Sequence, residues 1–139
     1  MVSKDSNILV VDDSPAIQAL MREFLRSLGY GSVDAVSSAK EALERLDAVP
    51  YDIVFLDMVM PGEAGEDFAE EALAKNPTLK VVVTTALPYT HESVLSAISQ
   101  GASDYLPKPL RMDAVKSIMQ RLEREAQGIR EIKSDVNYH

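Results

Sequence analysis

The chain has 139 residues, 46% of them hydrophobic, with a net charge of −8; this fits one domain with a core, excludes disorder over most of its length and excludes a general nucleic-acid-binding surface, leaving open DNA binding through an attached domain. The absence of cysteine excludes disulfides, zinc–thiolate sites and a cysteine nucleophile, and fits a reducing cytosol. The polar start, residues 1–7, does not read as a signal peptide, and no apolar run is long enough to span a membrane.

Residues 7–11 read as a first strand, because Ile8, Leu9, Val10 and Val11 form the short β-branched run of a strand buried on both faces. Ser14 and Pro15 supply a capping hydroxyl and a first-turn proline. Ile17, Leu20, Met21, Phe24, Leu25 and Leu28 then keep helical spacing until Gly29 closes the helix. A weak second strand is predicted over 32–36, followed by a helix capped by Ser38 with Ala39, Ala42, Leu43 and Leu46 inward. The third strand, 52–56, leads into a loop with Pro61, Gly62 and Gly65, and a helix over about 66–75 ends before Asn76 and Pro77. The fourth strand runs from Lys80 to Thr84, and the fourth helix spans about 90–100, with Val94, Leu95 and Ile98 apolar, and stops at Gly101. A short fifth strand, Ser103 to Leu106, precedes a fifth helix that begins near Arg111. Five βα units in alternation predict an α/β domain: a doubly wound (βα)5 fold with a five-stranded parallel sheet, helices on both faces and right-handed crossovers.

Asp12 and Asp13 follow the first strand, and Asp57 ends the third. Ligands of open α/β sheets bind at the carboxyl ends of the strands, so these acids converge where a ligand is expected. They also repel one another, since two unit charges ~4 Å apart at an effective dielectric near 20 interact by roughly 4 kcal/mol. A divalent cation neutralises such a cluster, and oxygen-only ligands suit Mg²⁺. Asp57 reads either as a nucleophile that accepts a phosphoryl group or as an ordinary loop-starting aspartate. Asp12 and Asp13 could serve the positive end of the first helix, but Ser14 already supplies its cap. Thr84 and Thr85 place hydroxyls at the end of the fourth strand, and Lys108 stands between Pro107 and Pro109 after the fifth, where a cis peptide before Pro109 is one option. Acid pair, acid, hydroxyl and lysine thus end strands one, three, four and five in order.

The segments ILVVDDSP, DIVFLDMVMPGEAG, VVVTTA and SDYLPKP resemble the response-regulator receiver domain, the chemotaxis-type (CheY-like) fold of two-component signalling, over residues 6–124. The resemblance implies the flavodoxin-like strand order 2-1-3-4-5 and a module that receives a phosphoryl group from a partner phosphohistidine in a Mg²⁺-dependent reaction, with Mn²⁺ able to substitute. It implies Asp57 as phosphoacceptor and metal ligand, Asp13 and the Val59 backbone carbonyl as direct ligands, and Asp12 acting through water. Thr85, ahead of Ala86, would contact the phosphoryl group in preference to Thr84. Lys108 would form an ion pair, and Tyr105 would be the switch aromatic on the face made by helix four, strand five and helix five. The implied partners are a sensor histidine kinase or phosphotransfer protein and a downstream protein or output domain on that face, with no direct nucleic-acid or membrane contact and a cytoplasmic location. His91 and His139 lie in no donor motif, so the chain reads as a receiver and not as a kinase. Val59 and Leu87 are apolar where the chemotaxis pattern is polar, and the segment Thr85–Gly101 is one residue longer than in that pattern.

Residues 125–139 read as a polar tail. Val115, Ile118, Leu122, Ile129, Ile132 and Val136 follow spacings of three and four, broken at Glu125. One reading is a helix continuing as a coiled-coil linker or homodimer contact; the other is a fifth helix that stops at about 123 and frays. Two further functions fit the residue set less well. A Mg²⁺-dependent aspartyl phosphohydrolase would carry Asp-x-Asp on its first strand, where this chain has Asp12-Asp13-Ser14. A receiver-like scaffold without phosphorylation would not need the full residue set. The expectation is a signalling phosphoacceptor that is not an enzyme toward other molecules.

Overall fold

A computed structural model describes residues 2–60 and 63–136, and the side chains of residues 60, 63–66 and 126–136 are outside the described set. The five expected strands are β1 (Asn7–Val11), β2 (Ser32–Val36), β3 (Ile53–Asp57), β6 (Lys80–Thr85) and β7 (Asp104–Pro107), in the order β2-β1-β3-β6-β7. All four ladders are parallel. Counted within this sheet alone, the order is 2-1-3-4-5. An unexpected antiparallel pair, β4 (Val59–Met60) and β5 (Glu63–Ala64), follows β3; Pro61 and Gly62 of the expected loop lie outside the described residues.

Alternation along the strands divides the core into two layers. Ile8, Val10, Ile53, Phe55, Val82 and Leu106 face one side, where α1 (Pro15–Ser27) contributes Met21 and Leu25 and α5 (Met112–Val136) contributes Val115, Met119 and Leu122. Leu9, Val11, Val54, Leu56, Val81 and Val83 face the other. There α2 (Ala39–Ala48), α3 (Gly65–Lys75) and α4 (Glu92–Ser99) supply Ala42, Phe68, Ala72 and Ala97. Every residue of β3 is buried, and each large apolar side chain so placed contributes about 1.5–3 kcal/mol.

Ser14 caps α1 by accepting the Ile17 N–H, with Pro15 at the start of the helix as expected. Its end is a Schellman turn: Gly29, at φ +100°, donates to Arg26, and Tyr30 donates to Leu25. Ser38 caps α2 through the Glu41 N–H. The cap of α4 is His91, whose Nδ1 accepts the Ser93 N–H, so this helix starts two residues later than its apolar pattern suggests. The fifth helix does not stop at about 123; its backbone is helical to Val136. The Ile129, Ile132 and Val136 side chains of the expected seam lie outside the described residues. No helix among the described residues is long and apolar enough to cross a membrane.

Candidate functional site: an acid cluster at the carboxyl edge of the sheet

Parallel pairing brings every candidate residue to one edge. Val11 pairs with Leu56, Asp57 with Thr84, and Thr85 with Pro107, so the residues that follow each strand meet at a common end. Carboxylate oxygens of Asp12, Asp13 and Asp57 all lie within 4.8 Å of one another. Asp12 and Asp57 are buried and Asp13 is exposed, giving the cluster one open side. Lys108 Nζ bridges the buried pair, 2.8 Å from Asp12 Oδ2 and 3.2 Å from Asp57 Oδ2. The Lys108–Pro109 peptide bond is cis, and the Lys108 N–H donates to the Thr85 carbonyl at 2.9 Å, which holds the lysine against the edge.

The remaining carboxylate oxygens of the buried pair are held by backbone. Ser14 N–H donates to Asp12 Oδ1 at 2.9 Å, and Val59 N–H donates to Asp57 Oδ1 at 3.0 Å. Burial pushes the Asp57 carboxyl above its ordinary value; the Val59 N–H and Lys108 pull it back, and the Asp12 charge adds to the rise. Burial opposes the charge on Lys108, but its hydrogen bond to Asp12 and the charges of Asp57 and Asp12 hold the ammonium above its ordinary value.

These shifts predict a stability effect. A carboxyl whose pKa is raised by folding adds stability below its unfolded value and loses that contribution as pH rises through the folded value. Removing the Asp57 charge leaves Lys108 its closer partner, Asp12, so burial outweighs the lost pair. Without metal, Asp57→Asn is expected to melt above wild type at neutral pH, by about 2–5 °C. The gap closes as pH falls through the raised Asp57 value. Calorimetric melts over a pH series check this; a variant that melts below wild type at neutral pH means that the pairing with Lys108 outweighs burial.

Both threonines are buried, and strand alternation separates their roles. Val81 and Val83 face the layer of α2, α3 and α4, so Thr85 points toward that layer and Thr84 toward the other. Thr85 Oγ1 accepts the Leu87 N–H at 3.1 Å and keeps its own proton to donate. Tyr105 is opposite Val83 and packs on the same layer as Thr85. Its hydroxyl donates to the Leu87 carbonyl at 2.5 Å, so Leu87 links the two through its backbone. Tyr89 meets the Tyr105 ring edge to face at 5.5 Å. Asp104, beside Tyr105, is ion-paired with Arg121 of α5. Neither Tyr89 nor Gln18, whose amide reaches the Asp12 carbonyl, was legible as a site residue, because each contact joins separate elements.

A doubly wound parallel sheet with clustered carboxylates, a bridging lysine and a buried hydroxyl at its carboxyl edge defines a phosphate-handling, hard-metal module. The chain belongs to the response regulator receiver domain family, whose model matches residues 8–120. It is 30% identical over 114 residues to the chemotaxis protein CheY of Listeria monocytogenes, covering 82% of this chain and 95% of that one. It is 34% identical over 110 residues to a protein-glutamate methylesterase/protein-glutamine glutaminase of Vibrio vulnificus. That match covers 78% of this chain but only 32% of the relative, so the chain spans about a third of that protein. The response regulator TrrA of Thermotoga maritima, solved in complex with Mg²⁺-BeF, superposes with a TM-score of 0.74 at 35% identity, over 84% of this chain and 98% of TrrA. The protein is therefore a CheY-like receiver domain of two-component signalling. Receiver domains are signalling phosphoacceptors that bind Mg²⁺ at such an acidic cluster, and the mutual reach of the three carboxylates fits that ion.

Proposed function

We propose that Asp57 accepts the phosphoryl group and that Asp12, Asp13 and the Val59 carbonyl complete the metal site around it. The observation that carries this reading is the convergence of three carboxylates, the buried two of which are bridged by the Lys108 ammonium. The donor is a phosphohistidine on a sensor kinase or phosphotransfer protein. An Asp57 oxygen forms a bond to phosphorus as the donor P–N bond breaks, and the leaving nitrogen keeps the electron pair. When bound, Mg²⁺ offsets charge on the transferring group, and Mn²⁺ can replace it. Lys108, beside Asp57, would supply a second positive charge, and Thr85 would donate its hydroxyl to a phosphoryl oxygen. Drawing Thr85 toward that oxygen competes with its bond from Leu87 N–H, and Leu87 also holds Tyr105 through its carbonyl. Phosphorylation thereby biases the face of α4, β7 and α5, a local charge event read at a distance.

Residues 6–124 form the receiver unit in this reading, and residues 125–139 a helical tail that links to an output domain or pairs two copies. The module works in the cytoplasm, acts by docking and turns over no other substrate. The test is incubation with acetyl phosphate, with Mg²⁺ or with EDTA, followed by intact mass and sizing chromatography. One phosphoryl group is expected with Mg²⁺ and none with EDTA, and an elution shift on phosphorylation reports pairing. No gain in Mg²⁺ rejects the proposal in favour of a non-phosphorylated scaffold.

A further inference from the structure

Gln18 sits in the first turns of α1, and no role is assigned to it above. Its Nε2 is 2.6 Å from the Asp12 carbonyl oxygen, 3.2 Å from the Val36 carbonyl oxygen and 3.2 Å from Ser37 Oγ. Both carbonyls can only accept, so the nitrogen end of the amide must face them. The reason for the contact is the end of the sheet. The β1–β2 ladder stops at the pair Val11 and Val36, after which Asp12 N–H still reaches the Val36 carbonyl at 3.1 Å. The Asp12 carbonyl lies one step beyond the ladder, where an unpaired backbone acceptor beside a buried residue is costly. Gln18 satisfies it and ties it to the end of β2.

That carbonyl belongs to the peptide joining Asp12 to Asp13. The Asp12 side chain is fixed independently, by Ser14 N–H and Lys108. Asp13 is exposed, so its direction depends on the orientation of the peptide before it. We infer that Gln18 is a positioning residue for metal binding, setting the peptide plane that aims Asp13 into the acid cluster. The inference rests on the proposed metal site and predicts an effect on metal affinity rather than on the phosphoryl step itself.

The test measures Mg²⁺ binding to the unphosphorylated full chain by titration calorimetry, for wild type, Gln18→Leu, Gln18→Met and Asp13→Asn. Two donor-free variants are used so that a folding failure in one leaves the other. Removing such an outer partner of a metal ligand is expected to weaken Mg²⁺ binding about tenfold. The rate of phosphorylation by acetyl phosphate should then need more Mg²⁺ to reach half its maximum, with the maximum itself within about twofold of wild type. A merely structural role would lower the melting temperature and leave the affinity of the folded protein unchanged. Folded Gln18→Leu or Gln18→Met with wild-type Mg²⁺ affinity overturns the inference, as does a lowered maximal rate at unchanged affinity. Asp13→Asn separates the two levels: if it binds Mg²⁺ like wild type, the metal-site reading fails, whereas if it alone loses Mg²⁺, only the role of Gln18 fails.

Discussion

Asp57→Asn is expected to take up no phosphoryl group from acetyl phosphate and Mg²⁺ under conditions in which wild type takes up one. The amide nitrogen lone pair is delocalised into its carbonyl, and the amide lacks the charge that attacks phosphorus. Loss of a nucleophile lowers rates by roughly three orders of magnitude or more, far outside the error of an intact-mass time course. The neighbouring acids are poor substitutes on different grounds. Asp12 is 1% exposed, and it is the closer partner of Lys108, at 2.8 Å against 3.2 Å for Asp57. Asp13 stands on the open side of the cluster, where water solvates its charge. Asp57 lies between the acid pair that follows β1 and the hydroxyls of β6, the position that both groups can serve at once. The variant also keeps its fold, since removing a buried charge favours the folded state at neutral pH. Equal phosphoryl gain in wild type and Asp57→Asn would move the acceptor to Asp12 or Asp13, and their asparagine variants would show which.

The parts of this fold that were legible in the sequence are those where local pattern and tertiary context agree. The strand cores Ile8–Val11 and Ile53–Leu56 are apolar at every position because helices cover both faces of the sheet. Ser14-Pro15 and Gly29 mark the ends of α1 because capping is local chemistry. The β4–β5 pair was not legible, since two ladder pairs leave no alternation to detect. The continuation of α5 past residue 123 is open in the sequence for a related reason: the backbone is helical through Glu125 and Gly128, but the apolar spacing that marks packing is interrupted there. Family resemblance favoured Thr85 over Thr84, and in the structure the alternation of β6 places Thr85 on the layer that holds Tyr105. Gln18 was invisible because its three partners belong to the ends of β1 and β2, and nothing in a helix-phased glutamine announces that.

The second large effect concerns how long the phosphoryl group stays. Val59 is 56% exposed directly after the Asp57 turn, and its N–H is bound to Asp57 Oδ1. Leu87 is pinned at both ends of its peptide unit, by Thr85 Oγ1 and the Tyr105 hydroxyl. These two positions lie two residues after Asp57 and Thr85, and their side chains can neither accept a proton nor orient a water. Hydrolysis of the acyl phosphate needs a water directed at phosphorus, and a positioned acid–base group contributes about 10²–10⁴-fold in rate. The phosphorylated wild type is therefore expected to be long-lived, and Val59→Asn with Leu87→Glu to release phosphate at least about tenfold faster. Because the Leu87 backbone rather than its side chain contacts Thr85 and Tyr105, the substitution leaves those bonds intact and the uptake rate close to wild type. A phosphate-release time course on protein freed of donor gives the comparison. A double variant no faster than wild type means that water is limited by something other than these side chains, and the leading candidate is the Lys108 ammonium, which shields the Asp57 carboxylate at 3.2 Å whatever stands at positions 59 and 87.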